Sequence, residues 1–161
     1  MAGPLLLVVD SNISAFSTHH GIRQQMLQMM GILKEREDYA TFATTAPFQQ
    51  NMSWYGYVPN CPIITESGRR LISPEGKVIK AYEDMLGVNK GVGVIDLVSH
   101  LRIPWNAVVI VSDDPGPEGN PMLLLSRQSY RIAVGSGSTT VSQRVDIGGL
   151  IRHLSNVLRI R

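Results

Sequence analysis

Cysteine is nearly absent from this sequence, since Cys61 is the single one among 161 residues. One cysteine excludes an internal disulfide framework and is typical of a reducing compartment, so we expect a cytoplasmic or other reducing intracellular location. Long apolar runs are lacking as well, because none approaches the roughly 18–20 residues needed to cross a bilayer. No basic segment precedes the first apolar run, which argues against a signal peptide. We therefore expect no membrane partner.

Charge is also scarce. The formal net charge is +2, and 17% of the residues are charged while 43% are hydrophobic. This balance is typical of a globular protein, and the length suits a single domain over residues 1–161. Basic residues are scattered except for Arg69-Arg70 and the closing Arg152, Arg159 and Arg161. Charge therefore supports a nucleic-acid partner only weakly and leaves it open.

The segment PLLLVVDSNIS, residues 4–14, organises the rest of the chain. Its apolar residues run from Leu5 to Val9 without alternation and end at Asp10. A short unbroken apolar run of this kind predicts a strand buried on both faces, as in a parallel α/β sheet. Ligands of such sheets bind at the carboxyl ends of the strands, where Asp10 lies.

Apolar periodicity predicts alternating helices and strands along the remaining chain. We expect a helix after Ser17 or Thr18 with Ile22, Met26, Met29, Met30 and Leu33 on one face, a strand over 39–44, a helix from Pro47 to about Tyr55, and a hairpin within about 62–80. We then expect a helix from Asn89 with Val94, Ile95, Val98 and Leu101 inward, a strand over 107–111, a short helix from Pro121 to about Gln128, a strand over 130–134 and a closing amphipathic helix. The predicted fold is α/β, a doubly wound, Rossmann-like and mostly parallel sheet with helices on both faces and a small β-hairpin insertion.

Three predicted strands end in acidic or hydroxyl groups. These groups are Asp10, Thr44 and the pair Asp113-Asp114, and Lys90 opens the helix before the last of them. Neighbouring strands would bring them to one crevice, where the carboxylates would bind Mg²⁺. A carboxylate beside that metal could attack phosphorus and form an aspartyl phosphate, while a hydroxyl and an ammonium hold the other phosphoryl oxygens.

These residues resemble the four-motif pattern of the haloacid dehalogenase-like hydrolases, and most of all the sugar-phosphatase branch that includes trehalose-phosphate phosphatase and phosphomannomutase. The stretches CPIITESGRRLISPEGKVI, NKGVGVIDLVSHL and VIVSDDPGPEGNPMLLL are similar to the segments around motifs two, three and four of that branch. The resemblance implies that Asp10 is the nucleophile and a metal ligand, and that Thr44 and Lys90 bind phosphate. It also implies that Asp113 is a second metal ligand with Asp114 assisting.

The sequence departs from this family at two functional features. The family has a second aspartate two residues after the nucleophile as general acid and base, and this chain has Asn12 there. An amide cannot donate and recover a proton at neutral pH. The large cap domain of that branch also has no counterpart, because about ten residues, 81–90, separate the hairpin from motif three.

Two kinds of protein would show these departures. One is a degenerate relative that serves as a structural or protein-interaction subunit, bound to a partner or to a second copy. The other is a Mg²⁺-dependent phosphatase that acts on a phosphorylated sugar or a macromolecule. We favour the first, because Asn12 is a specific chemical loss.

Other families fit part of the chain. LLLVVDSNISAF resembles the opening of PIN-domain ribonucleases, in which Asp96 and Asp113 or Asp114 would complete a two-metal site. A von Willebrand A-type metal site would use Asp10, Ser14 and Asp113. The turn GSGS at 135–138 could cradle a phosphate, and Trp54, Tyr55 and Tyr57 would mark a partner surface if they are exposed.

Overall fold

The computed structural model describes residues 3–50, 59–113, 120–135, 137 and 139–160. Its strands are β1 Leu6–Asp10, β2 Tyr39–Ala43, β3 Ile63–Thr65, β4 Arg70–Ile72, β5 Val78–Ala81, β6 Val108–Asp113, β7 Tyr130–Val134 and β8 Gln143–Val145. Its helices are α1 Ala15–Thr18, α2 His20–Glu35, α3 Lys90–Leu101 and α4 Ile147–Val157, with short 3₁₀ turns at Glu66–Gly68 and Trp105–Ala107.

Within the described residues the strands form one eight-stranded sheet in the order β5-β4-β3-β2-β1-β6-β7-β8. Strand β1 is parallel to both of its neighbours, β2 and β6. The predicted hairpin is β4 and β5, which pair antiparallel at one edge of the sheet. The predicted α/β, mostly parallel fold with a hairpin insertion is confirmed.

Side chains of β1 alternate between two apolar cores. Leu7 and Val9 pack in a cluster that contains residues of α2 and α4, including Met26 and Leu154. Leu6 and Val8 pack in a second cluster with residues of α3. Helices therefore cover both faces of the sheet, which explains why residues 6–9 are all apolar and fully buried.

The first predicted helix is divided in two. The short α1 precedes α2, and the residue that begins α2 has no side-chain cap, so neither Ser17 nor Thr18 caps the long helix. Of the residues predicted to face inward on α2, Met26, Met29, Met30 and Leu33 are buried. In the next predicted helix, residues 48–50 are helical, and the rest of that prediction, with Trp54, Tyr55 and Tyr57, lies outside the described residues.

The inward face of α3 was predicted wrongly at Ile95, which is 44% exposed. The buried face includes Gly91 and Gly93 instead. A Cβ on Gly93 would lie 2.4 Å from Cγ2 of Ile64, so this glycine lets the helix approach β3 closely. Glycine has no apolar side chain, so a pattern of apolar residues in the sequence cannot identify a helix face that packs through glycine.

Two other predictions fail near the end of the chain. Residues 121–128 form turns and no helix, and the Arg131 side chain donates to the carbonyl oxygen of Leu123, which a continuing helix would use for its own hydrogen bonds. Strand β8 was not predicted, since its three residues carry little apolar pattern. None of the described helices is long and apolar enough to span a bilayer.

Candidate functional site

Asp10 lies at the carboxyl end of the central strand, where parallel sheets bind ligands. Its side chain is nearly buried, with the residue 3% exposed. Oδ1 accepts a hydrogen bond from the main-chain N–H of Asn12 at 2.9 Å. Oδ2 accepts one from the Ser112 hydroxyl at 2.7 Å. Both oxygens of this carboxylate are thus held in place, one by the turn that follows β1 and the other by a residue of β6.

Lys90 supplies the cation that balances Asp10. Its ammonium donates to Asp10 Oδ1 at 2.8 Å and to Asn12 Oδ1 at 3.0 Å. Lys90 is the first residue of α3, and the side chain of Asn89 caps that helix by accepting from Val92 N. The helix start therefore fixes the direction from which the ammonium reaches the carboxylate.

Gly68 helps to place the start of α3. It has a φ of +94°, and a Cβ on it would lie 2.0 Å from the carbonyl oxygen of Asn89. Only glycine allows both this backbone conformation and this contact. The 3₁₀ turn that contains Gly68 therefore packs directly against the residue that precedes Lys90.

Asn12 occupies the position at which the family resemblance places an acid–base aspartate. Its Oδ1 accepts hydrogen bonds from Thr45 N at 2.8 Å and from Lys90 Nζ. Two donors on one oxygen identify it as the amide carbonyl, because the amide nitrogen has no acceptor capacity. The Asn12 side chain therefore presents a hydrogen-bond acceptor to Lys90, and it contains no group that can act as a general acid or base.

Asp113 is the second described carboxylate of the site. It ends β6 and is half-buried. Burial and, after it, the negative charge of Asp10 raise the pKa of Asp113 above its ordinary value. The charges of Asp10 and Asp113 therefore repel each other across the site. Asp114 lies outside the described residues.

Two polar residues of the site were missed at the sequence level. Asn120 Nδ2 donates to the Ser112 hydroxyl at 2.7 Å and to the carbonyl of Asp113 at 3.0 Å. Ser112 in turn binds Asp10, so a chain of hydrogen bonds joins Asn120 to the central carboxylate. The adjacent glycine and asparagine at 119–120 in the sequence were a signal for Asn120, whereas nothing marked Ser112.

Thr44 follows β2 and is fully buried. Its hydroxyl accepts a hydrogen bond from Ala46 N at 3.0 Å, which is a local turn contact. It is not among the residues that line the cavity beside Asp10. The predicted phosphate-binding role of Thr44 stays a prediction, and this placement gives it no support.

A cavity of about 320 Å³ opens beside these groups. Its lining consists of Asp10, Asn12, Ser67, Val88, Asn89, Lys90, Asp113, Asn120 and Pro121. Asp10, Lys90 and Asp113, which were predicted from two strand ends and a helix start, thus lie around one cavity. They contribute one ammonium and two carboxylates to its lining. A larger cavity of about 520 Å³ lies elsewhere, beside the Arg36–Asp38 ion pair, where none of the predicted site residues is found.

The described residues contain no group of three or more His, Cys, Asp or Glu side chains suited to a metal. Mg²⁺ nevertheless needs few protein ligands, since it commonly binds through one or two carboxylates, water and phosphate oxygens. Asp10 and Asp113 meet that requirement, and a cation between them would relieve the repulsion that raises the pKa of Asp113. The residues present therefore fit Mg²⁺, which the carboxylates of Asp10 and Asp113 would hold.

The alternative sites are not assembled in the same way. Asp96, which the ribonuclease hypothesis needs near Asp10, accepts hydrogen bonds from Lys80 Nζ at 3.0 Å and Tyr82 Oη at 2.8 Å. These partners belong to β5 and the residue after it, and Asp96 does not line the cavity. Ser14, the third residue of the von Willebrand A hypothesis, does not line the cavity, although its main-chain N–H donates to the Asp113 carboxylate.

No protein-family model matches the chain, and no curated protein matches it significantly. Solved structures do match. A phosphatase of the haloalkanoate (HAD) enzyme superfamily from Bacteroides thetaiotaomicron is 13% identical, with a TM-score of 0.71 over 98% of this chain and 96% of the other. The sucrose-phosphatase from Synechocystis, solved with sucrose and phosphate, is 13% identical, with a TM-score of 0.64 over 94% of this chain and 97% of the other.

A sugar phosphatase of HAD subclass IIB is 12% identical, with a TM-score of 0.66 over 97% of this chain and 100% of the other. These identities are low, so the likeness is one of fold. It agrees with the resemblance drawn from the sequence motifs over nearly the whole chain. The chain has the fold of the HAD-superfamily phosphatases.

Proposed function

We propose that this chain is a phosphatase-fold protein whose site no longer turns over phosphate esters, and that it serves as a structural or protein-interaction subunit. The observation that carries the proposal is the pair of hydrogen bonds that Asn12 Oδ1 accepts from Thr45 N and Lys90 Nζ. They fix a neutral amide at the place where ester hydrolysis needs a proton donor.

The chemistry that remains is binding. Lys90 can attract a phosphoryl group, and Asp10 and Asp113 can hold Mg²⁺ beside it. The chemistry that is lost is protonation of the leaving oxygen and deprotonation of the attacking water. General acid–base groups typically contribute about 10²–10⁴-fold to a rate, so their absence leaves a weak hydrolase at best.

The interaction role draws support from the surface between β5 and α3. Leu86 is 91% exposed and Met85 is 43% exposed in this segment. Val88 of the same segment lines the cavity beside Lys90. Exposed apolar side chains beside a polar cleft are a common feature of protein contact surfaces.

A hydrolysis assay tests the loss of turnover. Purified full-length protein would be given a panel of sugar phosphates with Mg²⁺, beside the Asn12→Asp variant and the double variant Asn12→Asp, Asp10→Asn. We expect no turnover by wild type, a gain in Asn12→Asp and loss of that gain in the double variant. Efficient turnover by the wild-type protein would contradict the proposal.

Light scattering with chemical cross-linking tests the interaction role. We expect wild-type protein to self-associate, or to be cross-linked to a partner in extracts, and Leu86→Ser to weaken that association. Leu124→Ser is the matched control, because Leu124 is 63% exposed in another segment. A wild-type protein that stays monomeric and cross-links to nothing would overturn this part.

A Mg²⁺-dependent phosphatase is the second candidate. It is favoured by the convergence of Asp10, Lys90 and Asp113 around one cavity and by the fold shared with sugar phosphatases. In this case Asp10 would be the nucleophile, and a phosphorylated sugar or macromolecule would be the substrate. The same hydrolysis assay separates the two candidates.

A further inference from the structure

Charge is divided unevenly along the chain. Residues 120–161 contain six arginines, no lysine and a single acid, Asp146, whereas the preceding 119 residues contain nine basic and twelve acidic side chains. The carboxylate of Asp146 caps α4 by accepting a hydrogen bond from Gly149 N. We propose that the end of the sheet formed by β7, β8 and α4 binds the phosphate backbone of a duplex nucleic acid. This surface lies outside the cavity beside Asp10, so the inference goes beyond the proposed function.

The fold gathers the arginines of this region at one end of the sheet. Strand β8 is the edge strand, and β7 lies beside it. Arg144 on β8 lies opposite Ala133 on β7, so Arg144 and Arg131 project from the same face. Helix α4 packs on the other face, where it carries Arg152, and Arg159 follows it. Positive side chains therefore occur on both faces of this end of the sheet.

Arg131 is a buried cation without an acidic partner in the described part of the chain. The residue is 7% exposed, its Nη1 donates to the carbonyl oxygens of Leu123 and Thr140, and its Nε has no hydrogen-bond acceptor. Burial and, after it, the charge of Arg127 lower the pKa of Arg131, so the two cations repel each other. A buried unpaired charge is costly. A polyanion lying over this end of the sheet would supply the missing counter-charge.

The side chains at this surface favour phosphate as the group that is bound. Arg127, Arg152 and Arg159 are exposed, and none of them forms an ion pair with a described residue. A guanidinium stays charged at all physiological pH values and presents a planar fork of donors that matches two oxygens of one phosphate. Three such groups are therefore available to a ligand that repeats its phosphates along a line.

The scarcity of aromatic residues favours a duplex over a single strand. Proteins that bind single strands stack the bases on aromatic side chains. Tyr130 is the only Phe, Trp or Tyr within residues 120–161. Its ring is stacked on that of His153, and its hydroxyl lies 2.9 Å from Nε2 of that histidine. The surface thus offers charge alone, which suits a duplex with one negative charge per about 1.7 Å and gives no means to read its sequence.

Fluorescence anisotropy tests the proposal directly. Full-length protein would be titrated into short labelled duplexes of DNA and of RNA, each in two unrelated sequences, and into the corresponding single strands. EDTA in the buffer prevents Mg²⁺ from bridging a phosphate to Asp10 and Asp113. We expect duplex binding that is independent of sequence and that weakens steeply as salt is added. Binding of either duplex supports the proposal, and the preferred one identifies the source of the backbone.

Two double variants locate the surface. Arg127→Gln with Arg152→Gln removes two exposed charges from the proposed surface. We expect it to weaken duplex binding about tenfold or more at low salt and to reduce the salt slope by about 0.9 for each lost phosphate contact. Arg70→Gln with Lys77→Gln makes the same change in net charge in the hairpin at the opposite edge of the sheet and should bind as wild type. Circular dichroism shows that both variants are folded.

Four outcomes would overturn the inference. They are a folded wild-type protein that binds no duplex, single strands bound more tightly than duplexes, equal losses in the two double variants, and poly-glutamate bound as tightly as the duplexes. The last result would identify a surface for acidic proteins instead. Turnover of phosphate esters by wild type would overturn the proposed function and leave this inference intact, so the two failures are distinguishable.

Discussion

The Lys90 ammonium lies 2.8 Å from Oδ1 of Asp10, although 80 residues separate the two along the chain. Both side chains are largely removed from water, with exposed fractions of 14% and 4%. A buried ion pair of this kind contributes less to stability than its short distance suggests, because both charges lose hydration. Removal of one partner is nevertheless severe, since it leaves the other charge buried alone.

Replacing the cation should therefore destabilise the fold. Lys90→Met is expected to lower the free energy of unfolding by about 3–5 kcal/mol, since Asp10 keeps its charge without a counter-ion. Urea unfolding followed by circular dichroism measures this. Lys80→Met is the matched control, because Lys80 also lies 3.0 Å from an aspartate but is half-exposed, and its loss should have little effect. Equal losses in the two variants would refute the burial argument.

Asp113 should limit stability at neutral pH. Its folded-state pKa is raised by burial and by Asp10, so its ionised form is disfavoured in the native protein. Its stabilising contribution is complete below the unfolded pKa of 3.8 and is lost as the pH rises through the higher folded pKa.

We therefore expect Asp113→Asn to raise the thermal midpoint at pH 7 and to raise it less at pH 4. Calorimetry at the two values, in the absence of divalent cations, measures the difference. A variant less stable than wild type at pH 7 would show that the Asp113 carboxylate makes favourable contacts that outweigh repulsion from Asp10.

Gly68 should be intolerant of a side chain. Gly68→Ala places a Cβ 2.0 Å from the Asn89 carbonyl oxygen in a backbone conformation of φ +94°, so we expect destabilisation on the order of 1–3 kcal/mol. Displacement of Asn89 should also weaken any binding that depends on Lys90. Gly31→Ala provides the contrast, because a Cβ there meets nothing within 4 Å inside α2, and it should stabilise by about 0.5–1 kcal/mol.

Cys61 should be unreactive in the folded protein. Burial raises the pKa of its thiol to about 12, so almost no thiolate exists at pH 8. We expect a disulfide reagent to label it only as the protein unfolds in urea. The raised pKa also predicts that the stabilising contribution of the Cys61 thiol is complete below its ordinary pKa of 9.0 and is lost as the pH rises toward about 12. Rapid labelling without denaturant would be incompatible with this burial.

The sequence predicts the site best where a residue ends a regular element. The buried run before Asp10 and the strand before Asp113 set their positions at one edge of a parallel sheet, and Asn89 with Lys90 marks a helix start. These are local signals, and the fold confirms the elements that carry them.

The interactions that complete the site are not local. Ser112 reaches Asp10 across 102 residues, and Gly68 meets Asn89 from a separate turn. Neither residue type is unusual in sequence, and their importance arises only when strands and helices pack. Thr44 shows the converse, because its place after a strand predicted an open hydroxyl and the fold uses that hydroxyl to bind Ala46.

The central place of β1 also bears on how the protein must be made. Its first neighbour, β2, begins about thirty residues after it, whereas its second, β6, begins about one hundred residues after it, so one edge of β1 stays unpaired until β6 has been synthesised. An unpaired strand with the sequence LLVVD is a template for association with other nascent chains. The lining of the cavity beside Asp10 includes Asp113, Asn120 and Pro121, so a ligand of that cavity would not recognise nascent chains that end before these residues.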